Sequence, residues 1–176
     1  DVKIVAGPRP EVHPCFASDN QAAAFDGNGD YLRVADPGAD SPLDFGNGDS
    51  ITLEAWVNPR QLARNQQVYI IGKGRTNRAG FARDNQNYSL RLRNAQGSGA
   101  AVSFLFRDED NRTPDDWHRW TSREEFPLAT GWHHVAVTYT FGEPDWIRGC
   151  IDGRPTQGDW DMGGPSKQAP VQDDDE

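Results

Sequence analysis

Short stretches of alternating apolar and polar residues, separated by turn formers, run through most of the chain. In ITLEAWV (51–57), Ile51, Leu53, Ala55 and Val57 alternate with Thr52, Glu54 and Trp56. In NYSLRLR (87–93), Tyr88, Leu90 and Leu92 alternate with Ser89, Arg91 and Arg93. A two-residue period predicts strands with one face buried. VYIIG (68–72) and VSFLF (102–106) are nearly continuous apolar runs, which predicts strands covered on both sides. DWIRGCIDGRPTQG (145–158) holds a strand, the dipeptide Asp152-Gly153 and a second polar strand, a hairpin signal. TSREEF (121–126) alone reads as helical. Residues 1–20, with Pro8, Pro10 and Pro14, read as an extended leader, and 21–176 as one domain without internal repeats.

GWHHVAVTY (131–139) tests the pattern, because adjacent histidines invite a metal reading. In a strand, successive side chains point to opposite faces. His133 then shares a face with Val135, Val137 and Tyr139, and His134 shares the other with Trp132, Ala136 and Thr138. A zinc-protease pair needs the helical HExxH spacing, which is missing here. The stretch is expected to be a central strand with Trp132 buried and no metal at either imidazole.

Composition agrees with a strand-and-turn architecture. The 176 residues include 18 Gly and 12 Pro, and six Trp, four Tyr and eight Phe give a core its bulk. A formal net charge of -9 argues against nucleic acid or an anionic membrane as partner. No apolar run approaches the length of a membrane span. The chain opens at Asp1 with no charged-then-apolar leader, which predicts a processed product or an excised segment. Cys15 and Cys150 make no CxxC pattern, so zinc-ribbon, thioredoxin-type and c-type haem readings fail. They fit one disulfide or two free thiols equally.

AAAFDGNGDYLRV (22–34), LDFGNGDSITLEAWVNP (43–59), YIIGKG (69–74), GWHHVAVTY and the Ile151-Asp152-Gly153 hairpin follow one another in an order that resembles laminin G-like domains. These belong to the concanavalin A-like lectin/glucanase superfamily. The runs DNQNYSLRL, HRWTS, DMGG and VQDDDE further resemble the laminin G-like module of planctomycete multidomain proteins carrying cytochrome c-like domains. The resemblance implies an all-β jelly-roll sandwich of two antiparallel sheets. Relatives continue past the acidic stretch to a closing strand beside the first one, near Phe25 and Leu32. On that pattern the segment is C-terminally truncated.

Several stretches carry candidate chemistry. Asp26-Gly27-Asn28-Gly29-Asp30 places oxygen ligands at alternate positions, as the start of an EF-hand loop does. The remaining EF-hand positions fail at Tyr31 and Pro37, and Asn-Gly and Gly-Asp are ordinary turn formers. Laminin G-like domains often bind structural calcium, so the resemblance makes Asp26 and Asp30 candidate ligands. Asp44–Asp49 is a weaker copy, and Asp173, Asp174 and Asp175 could supply the opposing ligands. GKGR (72–75) lacks the Walker spacing, and with Arg78 and Arg83 makes a basic patch that neighbouring carboxylates could equally pair. Trp117, His118, Arg119 and Trp120 form the candidate ligand surface, since exposed aromatics stack on sugars while Arg and His donate hydrogen bonds. The opposing expectation is that both tryptophans plug the end of the sandwich. Asn87 and Asn111 lie in glycosylation sequons.

A glucanase needs two carboxylates spaced across the sugar. Its E-x-D-x-E type of motif is missing, and Glu54 stands among Thr52, Trp56 and Asn58. No G-x-S-x-G occurs either. These readings point to a non-catalytic module binding a glycan or protein within an exported, extracytoplasmic bacterial protein. The alternatives are a scaffold packing against neighbouring domains and, behind it, a glycoside hydrolase.

Overall fold

The computed structural model describes residues 1–38, 41–74, 85–108 and 116–172. Among these, the strands are β1 (Lys3–Ala6), β2 (Gln21–Ala24), β3 (Ser50–Val57), β4 (Gln67–Lys73), β5 (Tyr88–Arg93), β6 (Ala100–Arg107), β7 (Trp117–Phe126), β8 (His133–Thr140), β9 (Arg148–Ile151), β10 (Arg154–Thr156) and β11 (Gly158–Met162). One 3-10 turn, Pro144–Trp146, precedes β9. The chain divides into two units, 1–35 and 36–176. In the first, β1 and β2 form an antiparallel ribbon. Phe25, Tyr31, Leu32 and Val34 are exposed.

The second unit is a sandwich of antiparallel sheets, as the alternation and the resemblance led one to expect. Four strands lie in the order β10-β9-β8-β3 and five in the order β11-β7-β6-β5-β4. Ile51, Leu53 and Val57 of β3 and Val135, Val137 and Tyr139 of β8 face inward. Against them stand Leu90 and Leu92 of β5 and Phe104 and Phe106 of β6. Phe104 and Phe106 each reach the Tyr139 ring at 5.5 Å between centroids, so the aromatic residues join the two layers. Burying several such rings supplies roughly 1.5–3 kcal/mol apiece.

GWHHVAVTY forms β8, flanked on both sides by β3 and β9. Trp132 is only half-buried, because it precedes the paired residues. The hairpin at 152–153 is present, and both residues take positive φ (51° and 74°), which the tight turn requires. Three further expectations need correction. TSREEF lies inside β7: its position between β6 and β11 overrides its helical composition. VYIIG forms β4 at the sheet's edge, with Tyr69 and Ile71 exposed, so its apolar run does not mean cover on both faces. β5 is buried on both faces despite its alternation, and Ser89 and Arg91 are enclosed along with the leucines.

Candidate functional site

The strand geometry of β7 separates the four residues of the candidate ligand surface. His118 pairs opposite Phe106 and Trp120 opposite Phe104, which sends both toward the core, where they are 5% and 3% exposed. Trp117 and Arg119 take the outer face and are partly exposed. Trp120 fills the space over Gly149 and Gly158, so it packs into the sandwich, whereas the rival expectation had both tryptophans doing so and Trp117 stays partly exposed. Trp117 and Trp120 do not share a face, because residues three apart in a strand point to opposite sides of the sheet. His118 Nε2 lies 2.8 Å from Asp108 Oδ2 and Nδ1 lies 2.9 Å from the Gly164 carbonyl. Ser166 donates to the same Asp108 oxygen at 2.5 Å. This buried cluster ties β6 and β7 to the segment after β11. Arg119 donates to Asp161 at 2.6 Å, and Arg93 meets the other oxygen of that carboxylate.

Asp26 Oδ1 accepts from the Asn28 amide at 2.7 Å, and Asp30 Oδ2 from the Asp26 amide at 3.2 Å. Gly27 and Gly29 both have positive φ. The pair closes a turn by side-chain to backbone bonds. Calcium takes roughly six to eight oxygens, and no group of three or more His, Cys, Asp or Glu suited to a metal occurs among the described residues. Asp173, Asp174 and Asp175 lie outside the described residues, as do Arg75, Arg78, Arg83 and Asn111.

Lys73 is buried against Asp36 and Asp44, with its ammonium 2.5 Å from Asp36 Oδ2. That is carboxylate pairing, not an anion site. Burial pulls the ammonium toward neutrality, yet its contacts with the two aspartates outweigh this and hold its pKa above the ordinary value. The Lys73 contact, followed by the Gly38 amide, lowers the Asp36 carboxyl. Asn87 is 2% exposed, which leaves its sequon no room for a glycan. Cys15 and Cys150 are free thiols.

The open surface lies elsewhere, on the outer face of the four-stranded sheet. Trp56 stands opposite His134, Glu54 opposite Ala136, Thr52 opposite Thr138, and Ser50 opposite Thr140. The Trp56 and His134 rings are 5.4 Å apart. His134 Nε2 is 3.3 Å from Glu54, whose side chain is 65% exposed. Ser50 and Thr140 hydroxyls meet at 2.8 Å, and those of Thr52 and Thr138 at 3.0 Å. Ala136 and Cys150 leave a low floor between the ring pair and the hydroxyl ladder, with Arg148 beside Thr138. The exposed Trp146 sits in the turn at the Thr140 end. Sequence reading treated Trp56 and the threonines as the plain outward half of a strand. The signal was present in the alternation of ITLEAWV, but only the register with β8 and β9 assembles the face.

A flat array of aromatic, hydroxyl and carboxylate groups on a regular sheet defines a β-sandwich domain with an open polar face. The chain belongs to the laminin G-like family described as the concanavalin A-like lectin/glucanases superfamily, whose family model matches residues 26–172. Domains of this family are commonly binding modules and are generally non-catalytic. The match supports the superfamily and gives no support to the narrower planctomycete module. Comparisons with curated proteins and with solved structures gave no match. Among the described residues, no helix is long and apolar enough to cross a membrane.

Proposed function

We propose that the domain is a non-catalytic binding module of an exported protein, and that it holds an uncharged glycan on the outer face of the four-stranded sheet. The arrangement of Trp56, Glu54 and the Ser/Thr ladder supports this reading. An indole offers a stacking surface for a sugar's C–H face, a carboxylate accepts its hydroxyl protons, and paired hydroxyls both donate and accept. Ser50 to Trp56 spans about 20 Å of extended strand, room for several sugar units. Burial of Trp120 favours the second reading, a scaffold domain, since it removes one aromatic of the surface expected from sequence.

Isothermal titration with a panel of neutral oligosaccharides tests the choice. Binding that weakens at least about tenfold in Trp56→Ala, equivalent to about 1.4 kcal/mol, supports the glycan reading. Binding unchanged in both Trp56→Ala and Glu54→Gln overturns it, and a panel with no binder leaves the scaffold.

A further inference from the structure

A second indole stands at the far corner of the open face. Trp146 is 62% exposed, the highest figure among the large apolar side chains described in residues 36–176. An indole left in water forgoes the large apolar burial that aromatic side chains otherwise contribute. The turn that carries it is held firmly. Trp146 donates its amide to the Glu143 carbonyl at 2.9 Å, and Glu143 donates to Thr140 of β8 at 3.1 Å. The Arg148 guanidinium reaches back to the carbonyls of Asp145 and Ile147, each at 2.7 Å, and so brackets the residue between them. Ile147 is extended (φ -72°, ψ 136°) and packs against the core. Its neighbours Trp146 and Arg148 therefore leave the chain on the outer side.

The register fixes where the two indoles stand. Trp56 lies opposite His134, and Ser50 opposite Thr140. Arg148 lies opposite Thr138, which places Trp146 at the Thr140 end of β8. From the His134 row to the Thr140 row is about 20 Å along the strand, and from β3 to β9 is about 10 Å across it. The indoles mark the ends of a diagonal of about 22 Å on this spacing. It passes over β8 between Ala136 and Thr138, a low floor with a hydroxyl beside it. Glu54 stands next to Trp56 on β3, and Arg148 next to Trp146 on β9. Their charges are opposite, so these strand residues give an ionic ligand no net attraction.

We infer that Trp146 is a second stacking platform of this face, and that the ligand is a linear neutral oligosaccharide long enough to lie on both indoles at once. The inference rests on the glycan reading, to which it adds a second contact and a length requirement. A short oligomer rests on one indole or the other. A chain that spans the diagonal makes its second contact intramolecularly, and affinity climbs without any new kind of interaction.

Isothermal titration with gluco-, manno- and xylo-oligosaccharide ladders, each from disaccharide to hexasaccharide, tests the platform. In the ladder that binds, wild-type affinity should rise about a hundredfold or more from the shortest member to the longest. Trp146→Ala should remove most of that rise, yet change disaccharide affinity by no more than about twofold, since one platform suffices for it. Trp146→Phe should restore much of the rise, because a ring is again present to stack on. Melting temperature should stay unchanged in both variants, as the side chain is exposed. Hexasaccharide binding that weakens in Trp56→Ala but is unchanged in Trp146→Ala overturns the second platform and leaves the glycan reading standing. A ladder bound with equal affinity at every length does the same. Binding indifferent to both tryptophans, or no binding in any ladder, overturns the inference together with the reading beneath it.

Discussion

Trp120 occupies the space that a side chain on Gly149 would need. A Cβ built on Gly149 comes within 2.5 Å of the indole Cη2 and 2.7 Å of the Thr156 methyl. β7 and β9 belong to different sheets, so this contact is made across the core.

Gly149→Ala should therefore destabilise the domain by about 1–3 kcal/mol, the usual cost of overpacking a filled core. Trp120→Ala, which opens a cavity, should cost about 3–5 kcal/mol. The two together should fall short of the sum, because removing the indole relieves the clash. Urea denaturation of the four proteins in the cycle measures all three values. Strict additivity would show that the contact is not formed.

Acid should weaken the fold through specific carboxylates. The Lys73 contact with Asp36, the Thr156 hydroxyl on Glu124 and the Arg123 guanidinium on Asp159 each lower the carboxyl's pKa. A carboxyl depressed on folding adds stability above its unfolded value and loses it as pH falls through its folded value. The ordinary values are 3.8 for the aspartates and 4.5 for Glu124, so melting temperature should drop as pH falls below those values. Thermal melts between about pH 6 and about pH 2 measure this. In Asp36→Asn the slope below pH 3.8 should be shallower, since that carboxyl no longer titrates.

Two of the four tyrosines should resist ionisation. Burial raises the phenol pKa of Tyr139 strongly and that of Tyr88 to a smaller extent, from the ordinary 10.0. A raised acid binds its proton more tightly when folded, so this contribution to stability is complete below pH 10 and is lost above it. Absorbance titration should show Tyr88 and Tyr139 ionising above the ordinary 10.0, or together with unfolding. Tyr139→Phe should remove one late-titrating phenol, and Tyr88→Phe the other.

The alternation of ITLEAWV and NYSLRLR and the Asp152-Gly153 turn were legible in the sequence because their causes are local. A two-residue period follows from the pleat, and a tight hairpin needs two residues at positive φ. The opposite orientations of His133 and His134 followed from the same rule. Which face met what was not local. Trp120 and Arg119 differ by one position, and only the sheets stacked beneath β7 made the first core and the second surface. Trp56 became part of an open face through its register with His134, a residue 78 positions later by their numbering. The strand character of TSREEF likewise came from hydrogen bonds to two neighbours distant in the chain. Local propensity differs between helix and strand by about 1 kcal/mol or less per residue. Pairing and burial across a sandwich exceed that, so tertiary contacts decided those residues.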